Sequence, residues 1–107
     1  MQPIADEAAL DAAFAAPRYL LLKHSPTCPI SGSVRMEVEA FSGDHPDLPT
    51  GMIDVLDGRA LAEAVAARTG IPHESPQVLL LEDGAVVWHE NHWRVTAARL
   101  EAALADL

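Results

Sequence analysis

The hydrophobic pattern of this chain alternates between two periods, and each period predicts one type of secondary structure. Short, largely apolar runs at residues 19–22, 52–56 and 78–81 are typical of strands that are buried on both faces of a sheet. Between these runs, apolar side chains recur at the spacing of one helical face. The clearest of these helical patterns contains Ile30, Val34, Val38 and Phe41.

Capping and turn residues divide the pattern into separate elements. Asp6, Asp57 and Thr96 each stand just before a helical pattern, where a side-chain oxygen accepts from the first free N–H groups of a helix. The dipeptide Asp83-Gly84 lies between the apolar run at 78–81 and a further apolar run at 86–88. It predicts a two-residue hairpin turn between two antiparallel strands.

The predicted order of elements is α-β-α-β-α-β-β-α, and this order defines the fold class. Strands joined by a helical crossover run parallel, and the crossover is right-handed. The hairpin adds an antiparallel pair, so we expect a mixed sheet of four strands flanked by helices. This α/β layout is that of the thioredoxin fold, and we expect residues 1–107 to form one such domain.

The composition of the chain excludes several classes of protein. Of the 107 residues, 50% are hydrophobic, which is too high a share for a disordered chain. No apolar stretch reaches the length of a membrane span, so we expect no membrane insertion. With 16 acidic and 7 basic residues the formal charge is −9, and the basic residues form no stripe. Nucleic-acid binding needs clustered positive charge, so we do not expect it.

The amino terminus and the cysteine content predict a cytoplasmic protein. The first residues lack the basic start and the apolar run of a secretory signal. The chain has one cysteine and therefore forms no internal disulfide, which fits a reducing compartment. The excess of acidic residues is then expected to keep the protein soluble rather than to select a partner.

The single cysteine, Cys28, follows a predicted strand and precedes a predicted helix. At such a junction, backbone N–H groups and the helix dipole favour the thiolate, which is the reactive form. Ser31 occupies the position where a redox dithiol has its second cysteine. This arrangement predicts exchange by one sulfur, with the resolving thiol supplied from outside. The alternative is a small buried hydrophobe, but Pro29 favours a helix that begins at the thiol.

Three segments resemble the monothiol bacilliredoxin family: Thr-Cys-Pro-Ile-Ser at 27–31, the run at 69–76, and the tryptophan-containing stretch at 88–93. The resemblance implies that Cys28 is the nucleophile of a thiol-disulfide oxidoreductase and that Pro76 is a cis-proline beside it. The implied reaction removes bacillithiol, a low-molecular-weight thiol, from mixed disulfides on cytosolic proteins. Bacillithiol is then the co-substrate, S-thiolated client proteins are the partners, and no bound cofactor is expected.

Four residues around Cys28 are candidates for supporting the thiol: Thr27, Pro29, Ser31 and Pro76. Ser31 either donates a hydrogen bond to the thiolate across one helical turn or packs as a small polar residue. Thr27 either caps the helix or contacts the substrate, and capping is the expected role. For Pro76 the alternative is a trans bond, which is the default for an X–Pro pair.

The candidates for substrate binding are Lys23, His24 and Ser75, which lie beside the predicted thiol or the predicted cis bond. Bacillithiol carries carboxylates, so Lys23 or Arg35 is expected to supply positive charge, unless Lys23 points to the far face of its strand. His24 or His73 favours the thiolate when protonated, and surface solvation is the alternative for both. The spacing of the histidines fits no ligand motif, so we expect no metal site.

Three other functions compete with de-bacillithiolation. A non-catalytic thioredoxin-like adaptor would carry an incidental cysteine, and a glutathione-dependent reductase would use the same scaffold. An iron–sulfur carrier like the monothiol glutaredoxins is less compatible, because the stiff Pro29-Ile30 replaces their usual Gly-Phe. Trp88 and Trp93 are expected to pack inside the protein rather than to bind substrate.

Overall fold

Helices and strands follow the predicted order, with one short strand added at the amino end. The computed structural model describes residues 1–107. Its strands are β1 (Gln2–Pro3), β2 (Arg18–His24), β3 (Thr50–Asp54), β4 (Gln77–Glu82) and β5 (Ala85–Asn91). Its helices are α1 (Glu7–Ala15), α2 (Pro29–Asp44), α3 (Arg59–Thr69) and α4 (Ala97–Ala105), and a 3₁₀ turn covers His92–Arg94. No helix combines the length and the apolar character that a membrane crossing requires.

The strands form one mixed sheet in the order β1-β3-β2-β4-β5. β2 pairs in parallel with β3 and antiparallel with β4, and β4 and β5 form the predicted hairpin. The sheet has one strand more than expected, because Gln2 and Pro3 pair in parallel with Gly51 and Met52 of β3. A strand of 2 residues is too short to show an alternating pattern, so hydrophobic periodicity does not reveal it.

The central strand β2 separates two hydrophobic cores. Leu20 and Leu22 point into the core under α2 and α4, whereas Tyr19 and Leu21 point into the core under α1 and α3. All four side chains are buried, and each fully buried leucine contributes roughly 1.5–3 kcal/mol. Helix α2, which begins next to the cysteine, is therefore fixed to the sheet along its apolar face.

Two of the predicted helix caps are present. The Asp6 carboxylate accepts a hydrogen bond from the N–H of Ala9 at 2.8 Å, and the Thr96 hydroxyl accepts from the N–H of Arg99 at 3.2 Å. At the C-terminal end of α3, Gly70 adopts a φ of 74°, which glycine reaches without steric cost. These caps place the helix ends close to where the sequence predicts them.

The predicted cap at Asp57 is wrong. Helix α3 begins at Arg59, and its N-cap residue is Gly58, which has no side chain with which to accept a hydrogen bond. The carboxylate that acts in this turn belongs to Asp54, whose Oδ1 accepts from the N–H of Leu56 at 2.9 Å. Asp54 stabilises the turn before the helix, and the helix then starts further along the chain than Asp57 would allow.

Candidate active site

Cys28 lies at the junction between β2 and α2, as predicted. Strand β2 ends at His24, and Cys28 is the N-cap residue of α2, with Pro29 at the first helical position. Proline is well tolerated there because the first helical N–H has no partner within the helix. The Cys28 side chain is half-buried rather than sealed in a core. This exposure does not fit the alternative in which the cysteine is an inert hydrophobe.

The first turn of α2 activates the thiol. The backbone N–H of Ser31 is the largest cause that lowers the pKa of Cys28 below its ordinary value, and the N–H of Ile30 and the hydroxyl of Ser31 add to it. Partial desolvation acts in the opposite direction, but the hydrogen-bond donors outweigh it. Donors at a helix N-terminus stabilise an anion, and the thiolate is the nucleophilic form of cysteine.

Ser31 joins the helix to the loop that carries the thiol. Its side chain is fully buried, and its Oγ accepts a hydrogen bond from the N–H of Ser25 at 3.2 Å. The hydroxyl hydrogen remains available to the Cys28 sulfur, in agreement with its effect on the pKa of Cys28. Ser31 therefore combines the two roles that the sequence left open, since it packs as a small polar residue and also acts on the thiol.

The prediction that Thr27 caps α2 is wrong. Cys28 itself is the N-cap residue, and no side chain caps the helix there. The exposed Thr27 places its Oγ1 within 3.4 Å of the Ser25 Oγ. Its hydroxyl therefore stabilises the loop before the thiol, and a contact between Thr27 and substrate stays a prediction.

A second loop, residues 72–76, lies at the same edge of the sheet as Cys28. The Ser75-Pro76 bond is cis, as the resemblance predicts. β4 begins at Gln77 opposite Lys23 of β2, which brings Pro76 beside the end of β2 and the loop that follows it. The Ser75 Oγ is buried and has no hydrogen-bond partner within the protein.

Lys23 supports this second loop instead of facing a substrate. The side chain is 0% exposed, and its Nζ lies 3.2 Å from Nδ1 of His73. Burial lowers the pKa of Lys23 to about 8, although the Glu74 carboxylate favours the charged form. The prediction that Lys23 contacts substrate is therefore corrected: its strand position directs it to the face opposite α2, where it donates to the His73 ring.

The surroundings of His24 and His73 disfavour the positive charge that the sequence predicts for them. Burial is the main cause that lowers the pKa of His24 and of His73, and nearby cations, Arg35 for the first and Lys23 for the second, lower it further. These shifts disfavour the protonated rings, and neither ring is among the groups that lower the pKa of Cys28, so stabilisation of the thiolate by a protonated histidine stays a prediction. Arg35 itself pairs with Glu39 on the surface at 3.3 Å. No group of His, Cys, Asp or Glu side chains is arranged to hold a metal ion.

The two tryptophans differ in exposure, and the prediction that both pack inside the protein is right only for Trp88. Trp88 is half-buried and packs against the core under α2, as expected. Trp93 is 75% exposed, which corrects the prediction that it packs inside the protein. It belongs to the 3₁₀ turn, where His92 adopts a positive φ of 55° and turns the chain away from the sheet.

Trp93 lines a groove of about 420 Å³ next to Cys28, which we call the Trp93 groove. Its residues are Pro29, Ile30, Ser33, Val34, Glu37, Trp93, Val95 and Thr96. Ser33 and Glu37 are not among the residues that the sequence patterns predict for the site. The helical spacing of Ile30, Ser33, Val34 and Glu37, which places them on one face of α2, was the available signal.

Glu37 connects the Trp93 groove to the last helix. Its Oε1 accepts a hydrogen bond from the N–H of Ala97, in the first turn of α4, at 3.3 Å. The 3₁₀ turn is also tied to the loop at 72–76, since the N–H of His92 donates to the carbonyl of Pro76 at 2.9 Å. The three segments around the thiol are therefore held in a fixed arrangement.

An activated thiol at a helix start, beside a cis-proline at the same sheet edge, defines the class of thioredoxin-fold thiol oxidoreductases. The model of the family described as monothiol bacilliredoxin BrxC matches residues 2–100 of the chain. The protein belongs to this family.

Solved structures agree with the fold. A structure provisionally described as an oxidoreductase with a thioredoxin fold is 26% identical, with a TM-score of 0.90 over 96% of this chain and 92% of that one. Thioredoxin from Fasciola hepatica is 16% identical, with a TM-score of 0.78 over 99% and 98% of the two chains. Mitochondrial thioredoxin 3 from Saccharomyces cerevisiae is 13% identical, with a TM-score of 0.79 over 100% and 95%. The likeness to the last two concerns the fold alone.

Proposed function

We propose that this protein removes bacillithiol from mixed disulfides on cytosolic proteins, with Cys28 as its single nucleophile. The observation that carries the proposal is a half-exposed thiol at the start of α2, with its pKa lowered by the backbone N–H groups of that helix. Membership of the monothiol bacilliredoxin family supports bacillithiol as the small thiol.

The reaction consists of two thiol–disulfide exchanges. The Cys28 thiolate attacks the bacillithiol sulfur of the client's mixed disulfide, a bond forms between these sulfurs, and the client thiolate leaves and takes up a proton. A second bacillithiol thiolate then attacks the bacillithiol sulfur on Cys28. Bacillithiol disulfide forms, and Cys28 leaves as a thiolate. The second bacillithiol supplies the reducing electrons, so the protein ends in the state in which it began.

The residues around Cys28 assist both steps. The N–H groups of Ile30 and Ser31 stabilise the thiolate as it attacks and again as it leaves, because a thiol of lowered pKa is a better leaving group. The buried Ser31 hydroxyl holds the loop that carries the thiol. The backbone of Ser75, which precedes the cis bond at the start of β4, is placed to pair with an extended client segment.

The proposal is tested by intact-mass analysis of the reduced protein after mixing with bacillithiol disulfide or, separately, with glutathione disulfide. We expect one adduct on Cys28, formed preferentially with bacillithiol, and none in Cys28→Ser. We also expect the wild-type protein to release a client from its bacillithiol adduct and Cys28→Ser to release none. Equal reaction with both disulfides contradicts the assignment of bacillithiol, and full activity of Cys28→Ser contradicts the assignment of the nucleophile.

A further inference from the structure

Lys23 is a buried amine that is connected to the surface through one side chain. It is 0% exposed, and its Nζ has a single hydrogen-bond partner, Nδ1 of His73, at 3.2 Å. His73 is exposed, so its ring extends from the buried lysine to solvent. One neutral partner compensates a buried positive charge only in part, and a lysine in such a place loses its proton more readily than an exposed one. The pair therefore suits a group that gives up and regains a proton.

The contact with Lys23 determines which nitrogen of His73 carries the ring proton. An ammonium group only donates hydrogen bonds, so Nδ1 of His73 accepts from Nζ and the ring proton lies on Nε2. Burial and the positive charge of Lys23 both lower the pKa of His73, which favours this neutral ring. No hydrogen bond within the protein uses Nε2 of His73. Its N–H group is therefore free to donate to a group outside the protein.

The loop that carries His73 also carries the cis bond beside the thiol. Lys23 lies opposite Gln77 in the pair of β2 and β4, and the cis bond of Pro76 directly precedes Gln77. His73 is two residues before Ser75, and two residues span at most about 7 Å. A client segment that pairs with the backbone of Ser75 therefore lies within reach of the His73 ring, directly or through one water molecule.

We propose that Lys23 and His73 form a proton relay for the two thiol–disulfide exchanges, in which Lys23 stores the proton and His73 passes it to and from the reacting sulfurs. This inference rests on the proposed function and assigns the source of the proton that the client sulfur takes up. His73 is the catalytic residue of the relay, and Lys23 is a positioning residue that acts through it.

The first exchange uses the stored proton. As the client thiolate leaves, it takes the proton of Nε2 of His73, and a proton moves from Nζ of Lys23 to Nδ1 of His73. The client departs as a thiol, and Lys23 becomes a neutral amine. The ring stays neutral, with its proton now on Nδ1.

The second exchange returns the proton. The incoming small thiol gives its proton to Nε2 of His73, Nδ1 gives its own to the neutral Nζ of Lys23, and the resulting thiolate attacks the adduct on Cys28. Lys23 is then again an ammonium group, and the ring proton is again on Nε2. The relay moves protons only, so it consumes no oxidant or reductant beyond the small thiol.

The charges around the pair are compatible with transfer in both directions. Burial lowers the pKa of Lys23 to about 8, although the Glu74 carboxylate acts against this shift. That value is close to the pKa of about 8.5 of an ordinary cysteine thiol. From α3, Arg59 lowers and Glu63 raises the pKa of His73, and these two side chains pair with each other at 3.2 Å. Glu74, in the loop itself, also raises the pKa of His73.

The first test uses two small disulfides that differ in their leaving group. Bis(hydroxyethyl) disulfide releases an alkyl thiolate, which takes up a proton at neutral pH, whereas dithiodipyridine releases a sulfur that is stable without one. His73→Gln keeps an acceptor for Lys23 and a donor toward solvent, but it does not pass a proton. We expect it to slow adduct formation on Cys28 at least about tenfold with the alkyl disulfide and to leave the rate with the aromatic disulfide unchanged. His89→Gln, the same change at an exposed histidine of β5, is the matched control and should alter neither rate.

The second test follows, against pH, the ratio of the wild-type rate to the His73→Gln rate with the alkyl disulfide. His73 is not among the groups that shift the pKa of Cys28, so the ionisation of the thiol cancels in this ratio. Lys23 has to be protonated to supply the relay, so the ratio should fall toward one as the pH rises through about 8. Lys23→Met should be as slow as His73→Gln and should show the same pH dependence as that variant.

A purely structural role of the pair predicts other results. Equal slowing with both disulfides in His73→Gln, no slowing with either, or a ratio that stays constant with pH overturns the relay. Because His73 is exposed, His73→Gln keeps the test available if Lys23→Met does not fold. Neither small disulfide contains bacillithiol. If both tests give the expected results but the wild-type protein removes no bacillithiol from clients, the proposed function fails and the relay stands.

Discussion

Two side chains near Cys28 are unusual in their exposure, because a charged side chain, Lys23, is buried and an aromatic side chain, Trp93, is exposed. Lys23 is 0% exposed and bonds to His73 beneath the loop that contains Pro76, whereas Trp93 is 75% exposed on the other side of the thiol. Charged groups are rarely fully buried and large aromatic rings rarely stand open to solvent, so each arrangement costs free energy. The buried charge contacts the loop at 72–76, and the exposed ring lines the Trp93 groove.

The largest expected effect comes from comparing the two tryptophans, which tests whether Trp93 belongs to the core. Trp88→Ala should lower the free energy of unfolding by about 2–3 kcal/mol, since Trp88 packs against the core under α2. Trp93→Ala should change it by less than about 0.5 kcal/mol, because the exposed ring loses little buried area. Urea unfolding of both variants measures the difference. Similar losses in the two variants would place Trp93 in the core and remove the contrast.

The next effect concerns the buried charge. Lys23 is the only lysine, with a pKa of about 8 in the folded state against 10.5 in an exposed reference. The unfolded chain therefore binds more protons between these values, and stability should rise with pH through this window by up to about 1.4 kcal/mol per pH unit. Lys23→Met keeps a similar apolar volume and should lack this rise.

Urea unfolding from pH 7 to 9.5 tests this prediction, in a Cys28→Ser background so that the thiol does not titrate. Groups that lie away from Lys23 contribute equally to both proteins, and their effect cancels in the difference. Parallel stability profiles for the protein with Lys23 and the Lys23→Met variant would show that the lysine is not held in a desolvated site.

The smallest effect concerns the thiol. Ser31→Ala removes one donor that lowers the pKa of Cys28, so the midpoint of alkylation against pH should move upward. The rate at pH 7 should fall several-fold, and the rates should converge above both pKa values, where Cys28 is fully ionised. Ser33→Ala, on the exposed side of the same helix, is the control and should leave the midpoint unchanged. An unshifted midpoint in Ser31→Ala would assign the activation to the backbone alone.

The sequence predicts the elements of this fold better than it predicts the environment of individual side chains. The period of the apolar residues locates β2 and α2, and with them Cys28 at their junction. This succeeds because a strand and a helix each bury a continuous apolar face. Lysine is usually a surface residue, and the burial of Lys23 follows only from its position in the central strand. There Leu22 faces the core under α2 and Lys23 faces the other side of the sheet.

The other wrong predictions, for Thr27, Asp57 and Trp93, also concern features that depend on how distant parts of the chain pack together. Thr27 and Asp57 are good capping residues by type, but a cap depends on where the first helical turn closes, which tertiary packing decides. Trp93 is apolar by type, yet the positive φ of His92 turns it outward, and no local pattern indicates that turn. The Trp93 groove depends on α2 lying beside the 3₁₀ turn and the residues just before α4, a contact between segments distant in the sequence.

The hydroxyl group at Ser31, in place of a second thiol, affects how long an adduct on Cys28 persists. In a dithiol protein, a second cysteine attacks the mixed disulfide within the same molecule, so the rate of resolution does not depend on the concentration of an external thiol. Here that position holds an oxygen, which forms no such bond, so any adduct on Cys28 persists until a thiol arrives from solution. The lifetime of the adduct thus follows the concentration of free thiol around the protein, and the fraction of modified chains reports the reducing capacity of their surroundings.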